Sequence, residues 1–447
     1  MDAIKDSLRE GKLDYEVVVA GGGTAGAVAA IAAARSGKKT ILIERQNCLG
    51  GTITSGLIIQ FGGGGYACMG GILKEIVDGM IKSQEAVFLQ EPDVNIPFNP
   101  EALKDLLLQK VLESGVEVML YSQIVDVILD GRAIKGLVVE NKAGSFEIYG
   151  KVVIDATGDA DVAYKSGAPC IKLDNGGILG ARVANIDYAQ LLAYMRANPD
   201  QICENDTDKP LIRFIGFFDL VEKGFKDGVL EADMMKIPEF LLSVEGTHEG
   251  LRRYLRVDGA FPEKGIAMIG YGASVKWDID NPFSYTVAEA EARRKNRALM
   301  AFLQGYIPGF RQAYIIQSAA SLAIWASRKI VGEYVLTSED VHNHRKFSDV
   351  VVKAHGNLDH RTLHIQSVPF DIPYKAMVPL ETGNLLVAGR NISTSADARI
   401  PGINIPICMQ LGEVVGLAAA LSIDLETPVG KLPVAVLQQA LVKSGVL

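Results

Sequence analysis

Residues 15–44 read YEVVVAGGGTAGAVAAIAAARSGKKTILIE, and this stretch decides the fold. Val17, Val18, Val19 and Ala20 form an apolar run of the length of a buried strand. Gly21-Gly22-Gly23-Thr24-Ala25-Gly26 follows at once, and small residues from Ala27 to Arg35 then keep a helical pattern that Gly37 closes. Thr40-Ile41-Leu42-Ile43 is a second buried-strand pattern, and it ends on Glu44. Strand, glycine turn, helix, strand and acid, in that order, make a dinucleotide-binding unit. Gly21 permits the tight turn, Gly23 lets a pyrophosphate approach the backbone, and Gly26 lets the helix pack on the strand. The helix start at Thr24 and Ala25 offers free N–H groups and a partial positive charge to phosphates. Glu44, about 20 residues on, is placed to accept hydrogen bonds from a ribose hydroxyl. A glycine cluster alone is weak evidence; the ordered flanking elements carry the assignment.

The rest of the composition bounds the answer. A chain of 447 residues is long for one domain, so two or three lobes are expected. The net charge of −8 and the lack of a basic run argue against nucleic-acid binding. Cys48, Cys68, Cys170, Cys203 and Cys408 are scattered with no C-x-x-C, which excludes a redox dithiol and zinc-type spacing. Unpatterned cysteines suit a reducing compartment. The segment 1–14 is charged and has no apolar stretch of the signal-peptide kind. No apolar run reads as long enough to span a membrane. The expectation is a soluble cytoplasmic protein with no membrane partner.

Beyond Glu44, Cys48-Leu49-Gly50-Gly51-Thr52 brings a second glycine pair that a simple dinucleotide unit does not need. Four consecutive glycines, Gly62 to Gly65, exclude regular structure there. Helix patterns cover 72–80 and 100–114. Strand patterns at 116–120, 123–129, 133–140 and 145–149 read as a strand and a small antiparallel meander. Lys151 to Asp155 is a further buried strand that runs into Ala156-Thr157-Gly158-Asp159. From about 165 to 365 long polar helix patterns (187–197 and 285–303) mix with strand-like runs (212–218 and 265–270), which suggests an inserted lobe. The apolar, glycine-rich character returns at Tyr374. Leu385 to Ala388 is a strand ending at Gly389-Arg390, and Gly402-Ile403-Asn404-Ile405 precedes a helix running through Leu421. The chain therefore divides into 1–165, the first part of a dinucleotide domain; 166–370, a substrate or cap domain; and 371–447, the return to the first domain.

Taken together, Gly21 to Gly26, Glu44, Gly50-Gly51, Ala156 to Asp159 and Val387 to Arg390 occur in the order found in FAD-dependent oxidoreductases with a glutathione-reductase-like FAD domain, which the chain resembles. It is similar in layout to succinate dehydrogenase and fumarate reductase flavoproteins, and the stretch Ala326 to Tyr334 resembles the same family. The resemblance implies an α/β fold: a Rossmann-like, three-layer FAD-binding domain with an inserted α+β substrate domain. It implies non-covalent FAD. It puts the adenine against the backbone of Ile124 and Val125, with Arg45 over it, and Gly50, Gly51 and Thr52 near the isoalloxazine or ribityl chain. It puts the pyrimidine end of the flavin at the helix start formed by Gly402, Ile403, Asn404 and Ile405.

The flavin supplies the redox chemistry and the protein orients substrate against it. The linked proton needs a base, and histidine is the usual choice. His342, His344, His355, His360 and His364 fall in one short span, of which His360 and His344 are the candidates for proton transfer. Only His360 and His364 have a metal-like i, i+4 spacing, and no H-E-x-x-H accompanies them, so no metal is expected. Arg399, just before Pro401-Gly402, is the leading anion-gripping residue, with Arg328 and Arg390 behind it. The expected activity is a dehydrogenase or reductase moving a hydride between a small polar substrate and flavin N5, with an unidentified electron acceptor or donor. The alternatives are a redox-neutral isomerase or thiazole-synthase-like enzyme, a flavin monooxygenase or halogenase, and a nucleotide-holding protein without chemistry. Hydroxylases and halogenases usually carry a late Gly-Asp turn where this chain has Gly389-Arg390. Closed homo-oligomers are the common state of such proteins and the expectation here.

Overall fold

The computed structural model describes residues 12–62, 66, 69–86, 95–173, 176–198, 227, 258–261, 265–269, 275–324, 327–357, 367–395 and 404–447. The decisive stretch forms β1 (Lys12–Ala20), α1 (Thr24–Arg35) and β2 (Thr40–Ile43), as its pattern predicts. Next come β3 (Gln60–Gly62), α2 (Gly71–Lys82), β4 (Asn95–Pro97), α3 (Pro100–Glu113) and β5 (Glu117–Met119). The meander is β6 (Gln123–Asp130), β7 (Ala133–Asn141) and β8 (Gly144–Asp155), followed by α4 (Asp161–Lys165). The middle of the chain supplies β9 (Cys170–Lys172), β10 (Gly176–Ile178), β11 (Ala181–Ala184), α5 (Tyr188–Ala197), β12 (Asp258–Phe261), β13 (Ile266–Ile269), β14 (Val275–Lys276), α6 (Ser284–Tyr306), β15 (Tyr314–Ser318) and β16 (Ala323–Ile324). The last part holds β17 (Arg328–Ile330), α7 (Ser338–His342), β18 (Val350–Asn357), β19 (Ser367–Pro373), β20 (Leu385–Val387), α8 (Ile405–Asp424) and α9 (Val434–Ser444).

Strands β5, β2, β1, β8 and β20 lie side by side and all pair in parallel, so the last strand of the chain returns to the sheet that the first one founds. The sequence pattern suggests separate strands at 145–149 and 151–155, but β8 is one continuous strand. Its first half pairs with β7 while its length runs along β1, with Tyr15 opposite Gly150 and Val17 opposite Val152. The ladder on both sides of Gly150 overrides the local turn signal. Strands such as β2 and β20 are buried along their whole length, as parallel strands between helices must be. A second hydrophobic core, built from residues between Ala181 and Ala313, lies between the antiparallel sheet β12-β13-β11-β15 and α6.

Helices α1 and α8 pack with almost no side chains between them. A Cβ on Gly412 would stand 2.2 Å from the carbonyl oxygen of Ala25, and one on Gly416 would stand 2.4 Å from that of Ala29. The pairing of 412 with 25 and 416 with 29 means the two helices run the same way, so both positive ends face the same side. Helix α8 begins about six residues earlier along this shared direction, roughly 9 Å at 1.5 Å per residue. Ile405–Asp424 is also long and apolar enough to cross a membrane by length and composition, which the sequence reading did not credit, but 83% of the qualifying window is buried. Its apolarity serves the core. On the same helix the buried Glu413 accepts the N–H of Ile72 at 2.7 Å and so caps α2. A Cβ on Gly71 would fall 2.2 Å from that carboxylate, which accounts for the glycine at this helix start.

The contact fixes the sign of a simple substitution. Gly→Ala in an exposed helix stabilises by about 1 kcal/mol. Gly416→Ala, pressed on the Ala29 carbonyl, is expected to destabilise by about 1–3 kcal/mol in urea unfolding. A stabilised variant would contradict the packing described.

Candidate functional site

The glycine turn after β1 is held from three sides. Gly21 has φ +94°, which favours glycine, and its Cβ would lie 2.7 Å from the Ala156 carbonyl oxygen. A Cβ on Gly26 would collide with the Gly21 carbonyl at 1.8 Å. Gly23 differs: its Cβ would meet nothing nearer than 4.0 Å, so the space beside it is open. Gly23 is also the N-cap of α1 and has no side-chain cap, which leaves first-turn N–H groups uncapped around that open space. The buried Glu44 accepts the N–H of Gly22 at 2.7 Å and that of Gln46 at 2.8 Å. Burial pushes its carboxyl above the usual range, against the pull of these hydrogen bonds. Each carboxylate oxygen retains acceptor capacity for a sugar hydroxyl.

The second glycine pair is laced to the first. Gly50 donates its N–H to the Gly22 carbonyl at 2.8 Å, and Thr24 Oγ1 donates to the Gly50 carbonyl at 3.1 Å. A Cβ on Gly51 would sit 3.1 Å from Gly23 Cα. On its other side this loop meets the inserted segment, where Ala320 N–H donates to the Ser55 carbonyl at 2.8 Å. Strand β6 is the last strand on the sheet path, and Val125 falls at a register shift between Ile124 and Asp126, outside the ladder pairing with β7. Irregular edge backbone of this kind has groups to offer a ligand.

The turn after β8 concentrates charge. Asp155, fully buried, accepts from Thr157 N–H at 3.0 Å, Thr157 Oγ1 at 2.7 Å and Ala163 N–H at 2.9 Å, and so shapes the Ala156–Asp159 turn. Asp159 accepts from Ser327 Oγ and from Arg390 Nη2, the latter at 3.0 Å. Burial pushes the Asp159 carboxyl up, but Arg390 and Ser327 outweigh it and the net shift is downward. Arg390 also donates to Thr52 Oγ1 at 3.4 Å, and its guanidinium carbon lies 2.9 Å from where a Gly158 Cβ would be. Its Nε is buried without a hydrogen-bond partner among the described residues. Asp161 is bonded to Arg328 Nη2 at 2.7 Å, and that guanidinium lies 4.3 Å from the Tyr164 ring centre. Burial and the neighbouring Asp155 and Asp159 push Asp161 up to about 6.

At the mouth of α8, Asn404 caps the helix by accepting the Ile407 N–H at 3.2 Å, and Pro406 stands in the first turn. Cys408, one turn in, is buried, and burial pushes its thiol up to about 12. Lys329, on β17, donates to Thr394 Oγ1 beside it. The inserted segment reaches the same region through Tyr285, near the start of α6, whose hydroxyl feels the charges of Asp159, Arg45 and Arg390. Tyr285 stacks edge-on against Trp277 at 4.8 Å between centres, and the buried Trp277 Nε1 has no partner among the described residues.

The structure thus brings together Gly21, Gly23, Thr24, Ala25, Gly26, Glu44, Gly50, Gly51, Thr52, Ala156 to Asp159, Gly389 and Arg390 around the end of the parallel sheet. Arg45 is exposed, and its charge reaches Asp159 and Asp161 across the glycine turn. His344 is exposed, with its Nδ1 hydrogen-bonded to the Pro369 carbonyl at 2.9 Å. Arg328 is engaged with Asp161. His360, Arg399, Gly402 and Ile403 lie outside the described residues. Sequence reasoning missed Lys329, Ser327, Thr394, Trp277 and Tyr285. The one available signal was a lysine directly before the apolar pair Ile330-Val331.

The raised carboxyl of Asp161 makes a pH prediction. The folded state holds this proton more tightly than the unfolded one, so the group's contribution is fully present below about pH 4 and is lost as pH rises through about 6. In the cofactor-free protein Asp161→Asn should leave the melting temperature close to wild type near pH 4.5 and raise it near pH 7.5. An equal difference at both pH values would contradict the assignment.

A family model described as FAD dependent oxidoreductase matches residues 16–441. No curated protein matches the chain. Among solved structures, a geranylgeranyl bacteriochlorophyll reductase-like protein from Thermoplasma acidophilum is similar with a TM-score of 0.50 and 14% identity, over 97% of this chain and 85% of that one. The myxobacterial chondrochloren halogenase, described as a variant of FAD-dependent halogenases, has a TM-score of 0.51 and 12% identity, over 96% of this chain and 78% of that one. At such identities both likenesses speak to the fold, in agreement with the mixed sheet and glycine turn above. With the family match running nearly end to end, the chain belongs to the FAD-dependent oxidoreductase family.

Proposed function

We propose that this FAD-dependent oxidoreductase is a dehydrogenase or reductase that moves a hydride between a small polar substrate and flavin N5, with FAD held non-covalently. The residues present fit FAD: open space beside Gly23, uncapped N–H groups at the start of α1, a buried carboxylate at Glu44, and a buried guanidinium nitrogen of Arg390 without a partner among the described residues. On this reading Gly21, Gly23, Thr24, Ala25 and Gly26 hold the pyrophosphate and Glu44 a ribose. Ile124, Val125 and Arg45 border the adenine. Gly50, Gly51, Thr52, Ala156 to Asp159, Gly389 and Arg390 border the ribityl chain, and Asn404 and Ile405 face the pyrimidine. FAD supplies the two-electron chemistry when bound.

The observation that carries the reading is the position of Tyr285, on the inserted segment, within electrostatic range of Asp159 and Arg390. It brings a phenol and, through Trp277, an indole N–H without a partner from the inserted segment to the cofactor side. Hydrogen-bonding groups gathered beside charged side chains suit a small polar molecule. Gly389-Arg390 supports the same choice, since a guanidinium fixed by Asp159 stands where the monooxygenase pattern has an acid. His360 is the candidate base and Arg399 the candidate anion grip. His344 is a weaker base candidate, because its ring is exposed and tied to Pro369.

The test is anaerobic. The purified protein should be yellow and release FAD on acid precipitation. Small hydroxy acids, polyols and unsaturated acids should include a substrate that bleaches or re-oxidises the flavin without a nicotinamide. His360→Asn should slow that step by about 100-fold or more with FAD content unchanged. Oxygen consumption with NADPH and an oxygenated or halogenated product, or turnover with no change in the flavin spectrum, would overturn the proposal.

A further inference from the structure

Lys329 is the buried cation that the account above leaves unused. The residue is only 6% exposed. Its ammonium donates to the Thr394 hydroxyl, and no carboxylate among the described residues pairs with it. The contrast with Lys295 is direct, since that buried lysine holds Glu291 at 2.6 Å. An isolated buried ammonium costs several kcal/mol. Strand β17 runs beside the Gly389-Arg390 step, since Ile330 N–H donates to the Asn391 carbonyl at 3.1 Å, and Lys329 lies within electrostatic range of Cys408 in the first turns of α8. It therefore sits beside the positive end of a helix, where a cation is disfavoured and an anion is favoured.

Among the described residues, the charged and titratable groups around it are few. From α8 there is Cys408, whose thiol also feels Arg390. Thr394 carries no charge. On β9 the residue opposite Lys329 is Ile171. The flanking Arg328 and Ser327 turn to Asp161 and Asp159 instead. A lysine so placed has room for one electrostatic partner, a negative charge arriving at the mouth of α8.

We propose that Lys329 is the proton-exchanging group of the flavin site: its amine takes up a proton when the reduced flavin's negative charge forms at the mouth of α8 and releases it on re-oxidation. The inference rests on the placement of the pyrimidine at Asn404–Ile405 proposed above. The balance is simple. A bound flavin that took up two electrons from the reductant and one solvent proton would carry one negative charge. A second solvent proton binds the Lys329 amine, so the site gains two protons per two electrons rather than one. Burial brings the amine down to about 8. Near pH 7 it is mostly charged beforehand and has little to gain, whereas near pH 9 it is mostly neutral until the anion forms.

The experiment is a redox titration of the FAD-loaded protein with dithionite and viologen mediators, so no substrate is needed. Proton uptake per two electrons is read from the slope of midpoint potential against pH. Wild type should rise from near one proton around pH 7 to near two around pH 9. Lys329→Met and Lys329→Arg should both stay near one, and only Lys329→Arg should keep the wild-type potential at pH 7. If Lys329→Met does not fold, the arginine variant still carries the test. A flat count in wild type, or a rise retained in both variants, overturns the proposal. Two failures are distinguishable. Variants with unchanged potential and spectrum at every pH mean that the flavin ring lies elsewhere. Potentials displaced equally at every pH with unchanged counts mean that the ring is there and Lys329 does not exchange.

Discussion

Backbone-to-backbone packing of α1 on α8 is the constraint on which the rest depends. These helices are more than 370 residues apart in sequence, yet Gly412 and Gly416 press directly on Ala25 and Ala29. The first helix is fixed by the glycine turn after β1, so the contact transfers that geometry to the end of the chain. It sets two helix starts on one side of the sheet, displaced along their axes by about two turns. The small-residue character of α1, costly if it faced water, is what permits the approach.

Around this frame the charges are arranged in opposed sets. Asp155, Asp159 and Asp161 crowd one turn, and each pays for burial differently. Asp155 is held by N–H and hydroxyl donors, Asp159 by Arg390 and Ser327, and Asp161 by Arg328. Arg390 links the turn to Thr52, so the late Gly-Arg step, the early glycine loop and the middle turn share one network. Lys329 stands outside that pairing. Its hydrogen-bond partner is the Thr394 hydroxyl, and the acidic cluster is satisfied by other cations.

Much of this was legible in the sequence because it is local. The order of apolar run, glycine turn, small-residue helix and acid identified β1, α1, β2 and Glu44, and the structure adds that Glu44 braces the glycine turn through Gly22. The family match and the sheet order agree with the expected α/β FAD-binding fold. The continuity of β8 was not legible, because Gly150 signals a turn locally and only the ladder to β1 shows otherwise. Nor were Tyr285, Trp277 and Lys329. Their roles depend on neighbours distant in sequence, such as Thr394, 65 residues from the Lys329 that bonds it, and no spacing rule reaches that far. Arg390 was legible as a cation but not as the partner of Asp159.

The central claim is that two parallel helix starts hold the pyrophosphate and the flavin pyrimidine of one cofactor. A crystal structure of the FAD-loaded protein tests it most directly. The account predicts pyrophosphate oxygens accepting N–H groups from the first turn of α1 beside Gly23, and the pyrimidine edge of the flavin against the backbone of Asn404 and Ile405. A flavin ring bound away from α8, with its pyrimidine against the inserted segment or in solvent, would contradict it.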